Sequence, residues 1–327
     1  MSETDDLYIA APTIDDLMRR ALEAIDAHGR HNNPQRGLNR ELIGVALELT
    51  NPRARLSRTE TRGKPFSCLG ELCWYLAGTN DEGFITYYIK EYAKSAEGGT
   101  LYGGYGPRMF GSGSMRQVDN VIRLLRERPS SRRAVIQLFD AEDITDEHKD
   151  VPCTCTLQFM IREDVLHLVT YMRSNDVYLG LPHDVFAFTM LQEIVARDLA
   201  VGVGTYKHLV GSLHLYEENI DNAKRFLEEG WQSTEKSMEP MPQGNPWPMI
   251  DVVRGAESVI RSTGVFPSHR LEEIDPYWAD LIRLLLVLRY FKDKDADRIV
   301  QIRENMSSKV YDPFIDAKAD ALRSGAH

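Results

Sequence analysis

Residues 151–184 read VPCTCTLQFMIREDVLHLVTYMRSNDVYLGLPHD. Within this stretch CTLQFMI and LHLVTYM carry the apolar, β-branched character of strands, and Glu163 and Asp164 between them form the turn of a hairpin. RAVIQLFD, ending at Asp140, is a third strand just before it. The remainder of the stretch is dense in reactive side chains. Cys153 follows Pro152, and Arg173, Ser174 and Asp176 end the second strand. Leu-Gly-Leu-Pro at 179–182 then leads to His183 and Asp184.

Working outward, FSCLGELCWYLA at 66–77 is an apolar helix with one carboxylate, Glu71, which is costly to bury unless it is paired or used. The glycine- and tyrosine-rich run GGTLYGGYGPRMFGSG at 98–113, which contains Tyr105, is irregular. Val118, Val121, Ile122 and Leu125 line one face of a helix over 117–128, and Pro129 ends it. Thr13 caps a helix over 13–28, the polar GRHNNPQRG is a loop, and ELIGVALELT at 41–50 is a strand. A buried helix follows at 186–199 and a strand at 204–216. Residues 235–248, rich in Pro, Met and Gly, are the linker. DPYWADLIRLLLVLRYF and DADRIVQIRENM beyond it are two helices of a tail. The expected organisation is a catalytic domain over 1–234, with a linker and helical C-terminal extension over 235–327 packed on it.

With 43% apolar and 27% charged residues in 327, the chain has the composition of an ordinary globule. No apolar run reaches the roughly eighteen residues of a membrane helix, and the first residues are acidic, so a cytoplasmic location without membrane contact is expected. A formal charge of −10 argues against a groove for polymeric nucleic acid, although clustered arginines still suit a single phosphate. The four cysteines, Cys68, Cys73, Cys153 and Cys155, fall as CxxxxC and CxC rather than CxxC. Free thiols and no metal are expected.

Read in order, Pro152 and Cys153, Gln158 and Phe159, Arg173 and Ser174, Asp176, and Leu179 to Pro182 resemble the nucleophile region of the thymidylate synthase family. GELCWYL resembles the helix of that family's catalytic glutamate, SRR at 131–133 its phosphate-binding arginine pair, and GSLHLY its sugar-binding His and Tyr. The likeness covers about residues 30 to 230, and the tail does not match. It implies an α+β fold of that type, with a twisted mixed sheet flanked by helices. Cys153 would be the nucleophile, Glu71 would organise water and protons, and Tyr105 would assist proton loss from C5. Phosphate would fall to Arg36, Arg173, Ser174, and Arg132 and Arg133 reaching in from the other subunit of a homodimer. Gln158, His214, Tyr216 and Asp184 would meet base and sugar, and Asp176, Gly180 and Ile89 a reduced folate. The substrates implied are a pyrimidine nucleoside monophosphate and 5,10-methylenetetrahydrofolate as co-substrate. Attack on the ring requires a thiolate, which neighbouring guanidinium groups help form.

Departures from the family pattern refine the expectation. The family carries Asn where Asp184 stands, giving to uracil O4 and taking from N3–H. Cytosine reverses that pattern, and a carboxyl matches it by accepting from the 4-amino group and, when protonated, donating to N3. Ile89 and Tyr92 stand where the family has two tryptophans beside the folate, so water is expected to reach the exocyclic methylene. Thr154 replaces the histidine that usually follows the nucleophile, without an evident reason. The expected reaction is 5-hydroxymethylation of CMP or dCMP. The alternatives are methylation of dUMP and a non-catalytic nucleotide-binding relative.

Overall fold

The computed structural model describes residues 7–34, 37–111 and 116–325. Its strands, in chain order, are β1 (Tyr8–Ala11), β2 (Arg30–Asn32), β3 (Asn39–Leu49), β4 (Val135–Gln137), β5 (Thr154–Arg162), β6 (Val165–Asp176) and β7 (Gly202–Tyr216). They form one sheet in the order β1-β3-β7-β6-β5-β4, with β2 also paired to β3. β6 lies parallel to β7 and β1 parallel to β3, while the other pairs are antiparallel. The β5–β6 hairpin turns at Glu163 and Asp164, both left-handed at φ 50° and 57°, a conformation that acidic turn residues tolerate.

The helices are α1 (Ile14–His28), α2 (Pro65–Leu76), α3 (Glu82–Thr86), α4 (Tyr105–Phe110), α5 (Gln117–Glu127), α6 (Leu181–Asp198), α7 (Ile220–Glu228), α8 (Trp247–Thr263), α9 (Ser268–Glu272), α10 (Pro276–Lys292), α11 (Ala296–Glu304) and α12 (Asp312–Ser324). The Thr13 hydroxyl accepts from the amide of Asp16 and caps α1, as its sequence predicts. α6 packs on β6 and β7 with one side and on α2 with the other. That sandwiching explains why its interior carries almost no exposed residue. A mixed sheet with helices against it is the α+β architecture expected.

Four local expectations need correction. The polar loop after α1 contains β2, too short and polar for periodicity to reveal. The irregular glycine-tyrosine run contains α4. Among the described residues the tail holds five helices rather than two; in α8, Pro248 in the first turn and Gly255 mid-helix disguise the pattern. Finally, the linker is a fastened strap. Met238 and Met241 are buried, and the Met241 amide donates to Glu193 Oε1 at 3.0 Å.

Glu193 lies inside α6 and is the anchor of that strap. Arg53 Nε and Arg55 Nη2 donate to it at 2.8 and 2.6 Å, and Arg197 Nε donates to the Met241 carbonyl at 2.7 Å. These arginines overcome the upward push of burial and hold the Glu193 carboxyl below its ordinary range. A buried carboxylate without such partners would cost several kcal/mol, about 3–5 for a broken buried pair.

Candidate active site

Cys153 stands immediately before β5, half-buried at one end of the sheet. Arg173, on the neighbouring β6, points Nη2 at the Cys153 sulfur from 3.6 Å. The same side chain donates through Nε to the Pro152 carbonyl at 3.0 Å and through Nη2 to the Val151 carbonyl at 3.1 Å, which fixes the guanidinium. The contact places a guanidinium donor beside the sulfur. The β5–β6 register shifts between Thr154 and Thr156, so the ladder skips Cys155 and simple alternation does not govern the two cysteines. Burial outweighs the lowering effect of Arg173 and leaves the Cys155 thiol above its ordinary range.

Thr154 has a definite partner. Its amide and its Oγ1 donate to the Tyr105 hydroxyl at 3.1 and 3.0 Å. The Tyr105 hydroxyl proton remains free to donate elsewhere. Burial, followed by the charges of Asp184 and Cys153, drives its pKa far up, so Tyr105 acts as a neutral donor.

Glu71 is buried on α2, and its Oε1 accepts from Tyr92 Oη at 2.5 Å and Tyr75 Oη at 3.0 Å. Tyr75 is four residues along the same helix and therefore on its face. Oε2 has no partner among the described residues. Burial raises the Glu71 pKa despite both phenols, the condition of a carboxyl that can hold or pass a proton.

Asp184 occupies the first turn of α6. Burial, with the Glu71 charge second, raises its pKa well above the ordinary value, which favours the protonated carboxyl. Behind it runs a chain of hydrogen bonds that sequence reading did not single out. Tyr206 Oη meets His208 Nδ1 at 2.7 Å, His208 Nε2 meets Asn175 Oδ1 at 3.0 Å, and Asn175 Nδ2 donates to Asp184 Oδ2 at 2.8 Å. Burial drops the His208 pKa to about 3, so its ring is neutral with one donor and one acceptor. With Asn175 Nδ2 toward Asp184, the relay runs from Tyr206 to His208, from His208 to Asn175, and from Asn175 to Asp184. The donor on Oδ2 makes that oxygen an acceptor and leaves the proton for Oδ1. Gly180, just before α6, allows this approach: a Cβ there would come within 2.9 Å of Asn175 Nδ2.

The remaining predicted residues fall as follows. Asp176 Oδ1 accepts from the amides of Tyr178 and Leu179 at 2.7 and 2.6 Å, while its buried Oδ2 has no partner among the described residues. His214 and Tyr216 sit edge to face, ring centroids 4.8 Å apart, at the end of β7, and His214 pairs in register with Asp176. Ser174 is half-buried beside Arg173, and Ile89 is half-buried just after α3. Arg132 and Arg133 are exposed ahead of β4. Gln158 does not join the Cys153–Asp184 group but donates through Nε2 to the Arg132 carbonyl at 2.9 Å, bracing the arginine pair against β5. Arg36 lies outside the described residues. No group of three or more His, Cys, Asp or Glu side chains suited to a metal ion occurs among the described residues. No described helix is long and apolar enough to cross a membrane.

Three similarities to known proteins bear on this arrangement. The family model described as thymidylate synthase matches residues 22–240. A deoxyuridylate hydroxymethyltransferase of Bacillus phage SP01 is 30% identical over 192 residues, 54% of this chain and 50% of the relative. A thymidylate synthase of Buchnera aphidicola is 37% identical over 111 residues, 33% of this chain and 41% of the relative. The chain thus spans half or less of the length of these curated relatives. The family match runs through every strand from β3 to β7 and includes Cys153, Glu71 and Asp184, so the chain belongs to the thymidylate synthase family.

Proposed function

We propose that the protein transfers a one-carbon unit from 5,10-methylenetetrahydrofolate to C5 of a cytidine monophosphate, CMP or dCMP, and releases the 5-hydroxymethyl product. The observation that carries this reading is Asp184: a neutral carboxyl whose Oδ2 is an acceptor and whose Oδ1 is left to hold the proton. Cytosine offers the complement, an amine that donates to Oδ2 and an N3 that accepts from Oδ1. A uracil at the same place would set its N3–H against the Oδ1–H and leave buried groups unpaired.

In the proposed sequence, the Cys153 thiolate adds to C6 beside Arg173, and the electron pair moved to C5 attacks the folate methylene. The C5 proton leaves with the help of Tyr105 or of Glu71, whose buried Oε2 has no partner among the described residues. Tetrahydrofolate departs, water adds to the exocyclic methylene, and Cys153 is expelled. Ile89, in place of an indole, leaves the methylene less shielded. The folate would lie near Asp176, Gly180 and Ile89, where Asp176 Oδ2 is a spare acceptor. Arg173 and Ser174 would hold phosphate together with Arg36 and the Arg132 and Arg133 of a second copy.

A homodimer is part of the same reading. Thr156, Tyr171, Leu209 and Ala46 form one cross-strand row on the face opposite the buried core side chains, and Tyr171 is 44% exposed there. Residues 1–234 are read as the catalytic domain and 235–327 as an extension packed on it.

A second reading, a uracil substrate, is favoured by the phage relative, whose name specifies deoxyuridylate. Incubation with methylenetetrahydrofolate and each of CMP, dCMP, UMP and dUMP tests both readings. A cytidine product heavier by one CH2O supports the proposal. A product heavier by CH2 from dUMP sinks the water-addition step, and a CH2O gain on uracil alone sinks the base assignment.

A further inference from the structure

The C-terminal extension grips the segment that carries Tyr92. Three side chains of that segment, Phe84, Tyr87 and Tyr88, each meet a charged group from α8 or α10. Tyr88 Oη donates to Glu257 Oε1 at 2.7 Å, and Arg261 Nε donates to the same oxygen at 2.7 Å. The Arg261 guanidinium also lies 4.2 Å above the Phe84 ring, and Lys292 Nζ lies 4.2 Å above that of Tyr87. Glu257 is 1% exposed, which makes its two donors obligatory rather than incidental. All of these gripping residues lie beyond residue 240, where the family match ends.

Held this way, the Tyr88 ring packs directly against Gly70. A Cβ at Gly70 would sit 2.1 Å from the ring, so only glycine allows the contact. Gly70 directly precedes Glu71, and four residues after Tyr88 comes Tyr92, whose hydroxyl is on Glu71 at 2.5 Å. Trp74 backs the Tyr92 ring at 5.7 Å.

We propose that Glu257 is a positioning residue: by holding Tyr88 against Gly70 it keeps the Tyr92 hydroxyl on Glu71, so that the extension sets the state of the buried carboxyl. The proposal rests on the preceding reading for the meaning of Glu71, though not for its test. Facing Glu71 are Tyr75 and Cys68 from its own helix, Tyr92, and Asp184 of α6, while Tyr105 of α4 stands beside Tyr75 and Tyr92. Of these, the Tyr92 and Tyr75 hydroxyls counter the upward push of burial on Glu71. Loss of the Tyr92 contact therefore raises the Glu71 midpoint further.

The test is NMR of the full chain with an isotope label at the glutamate side-chain carboxyls, the Glu71 signal being assigned by its loss in Glu71→Gln. Tyr92→Phe is expected to displace that signal and raise its midpoint by about one pH unit. Glu257→Ala should do the same, and the double variant should add nothing. Glu257→Gln, whose amide oxygen still accepts from Tyr88, should restore the native signal. If Glu257→Ala does not fold, Tyr88→Phe takes its place. A Glu71 signal unmoved by Glu257→Ala or Tyr88→Phe, while Tyr92→Phe displaces it, overturns the proposal. No substrate is needed, so a displaced signal in a chain inactive on all four nucleotides would retain the positioning role and reject the reaction.

Discussion

At the scale of single residues the account turns on Cys153 and Asp184. Cys153→Ser removes the sulfur beside Arg173 and should lower turnover by ~10^4-fold or more, read as tritium released from C5-labelled nucleotide. Release at the native rate would exclude covalent attack. Asp184→Asn should move base preference toward uracil by roughly 10^2-fold in the ratio of kcat/KM values, because the amide's donor and acceptor fall opposite the wrong groups of cytosine. An unchanged ratio removes the reason for choosing cytosine. The pH dependence follows in sign: Asp184 has a raised pKa, so kcat/KM for a cytidine nucleotide is full while the carboxyl is protonated and falls as pH rises through that pKa. This alkaline limb should be missing in Asp184→Asn. Both residues were legible in the sequence because they lie thirty-one positions apart in one continuous motif. His208 and Tyr206 were not, since only the pairing of β6 with β7 brings them to Asn175 and so to Asp184. Tyr75, one helical turn from Glu71, was within reach of the sequence and was missed.

At the scale of elements, long and strongly patterned segments were readable, whereas short or punctuated ones were not. The β5–β6 hairpin, α1 and β7 follow directly from apolar spacing and turn chemistry. β2 is three exposed polar residues that exist as a strand only because β3 pairs with them. α1 carries a testable consequence of its packing. Asp15, in its first turn, accepts from Ser57 Oγ at 2.5 Å and from the Arg58 amide at 2.8 Å, tying the loop after β3 to the helix. Burial raises its pKa from 3.8 to about 6. The folded chain therefore binds this proton more tightly than the unfolded one. Its contribution to stability is complete below pH 3.8 and is lost as pH rises through about 6, a change on the order of 3 kcal/mol. Urea titrations between these limits should show a flatter pH profile for Asp15→Asn than for the native chain. Parallel profiles would contradict the assignment.

At the scale of the whole molecule, the sequence pattern announces a helical extension but not its contacts, and the proposed dimer comes from the family resemblance. α8 to α12 have no counterpart in the family motif, and their grip on Tyr88 and Tyr87 is purely tertiary. The proposed dimer would use exposed Arg132 and Arg133 and an open row of sheet residues. Its consequence is complementation: after subunit exchange, a Cys153→Ser chain with native arginines should restore activity to an inactive chain in which Arg132 and Arg133 are both changed to Ala. Continued inactivity of the mixture would place the arginines outside the shared site. The central claim is a bond between one sulfur and the ring, and it is tested most directly by trapping. A fluorine at C5 cannot leave as a cation, so 5-fluoro-CMP or 5-fluoro-dCMP with methylenetetrahydrofolate should halt the sequence with enzyme, nucleotide and folate joined. Mass spectrometry of the denatured chain is predicted to show one nucleotide plus one folate on the peptide containing Cys153, and none in Cys153→Ser. An unmodified native chain, or an adduct that survives the substitution, would contradict the account.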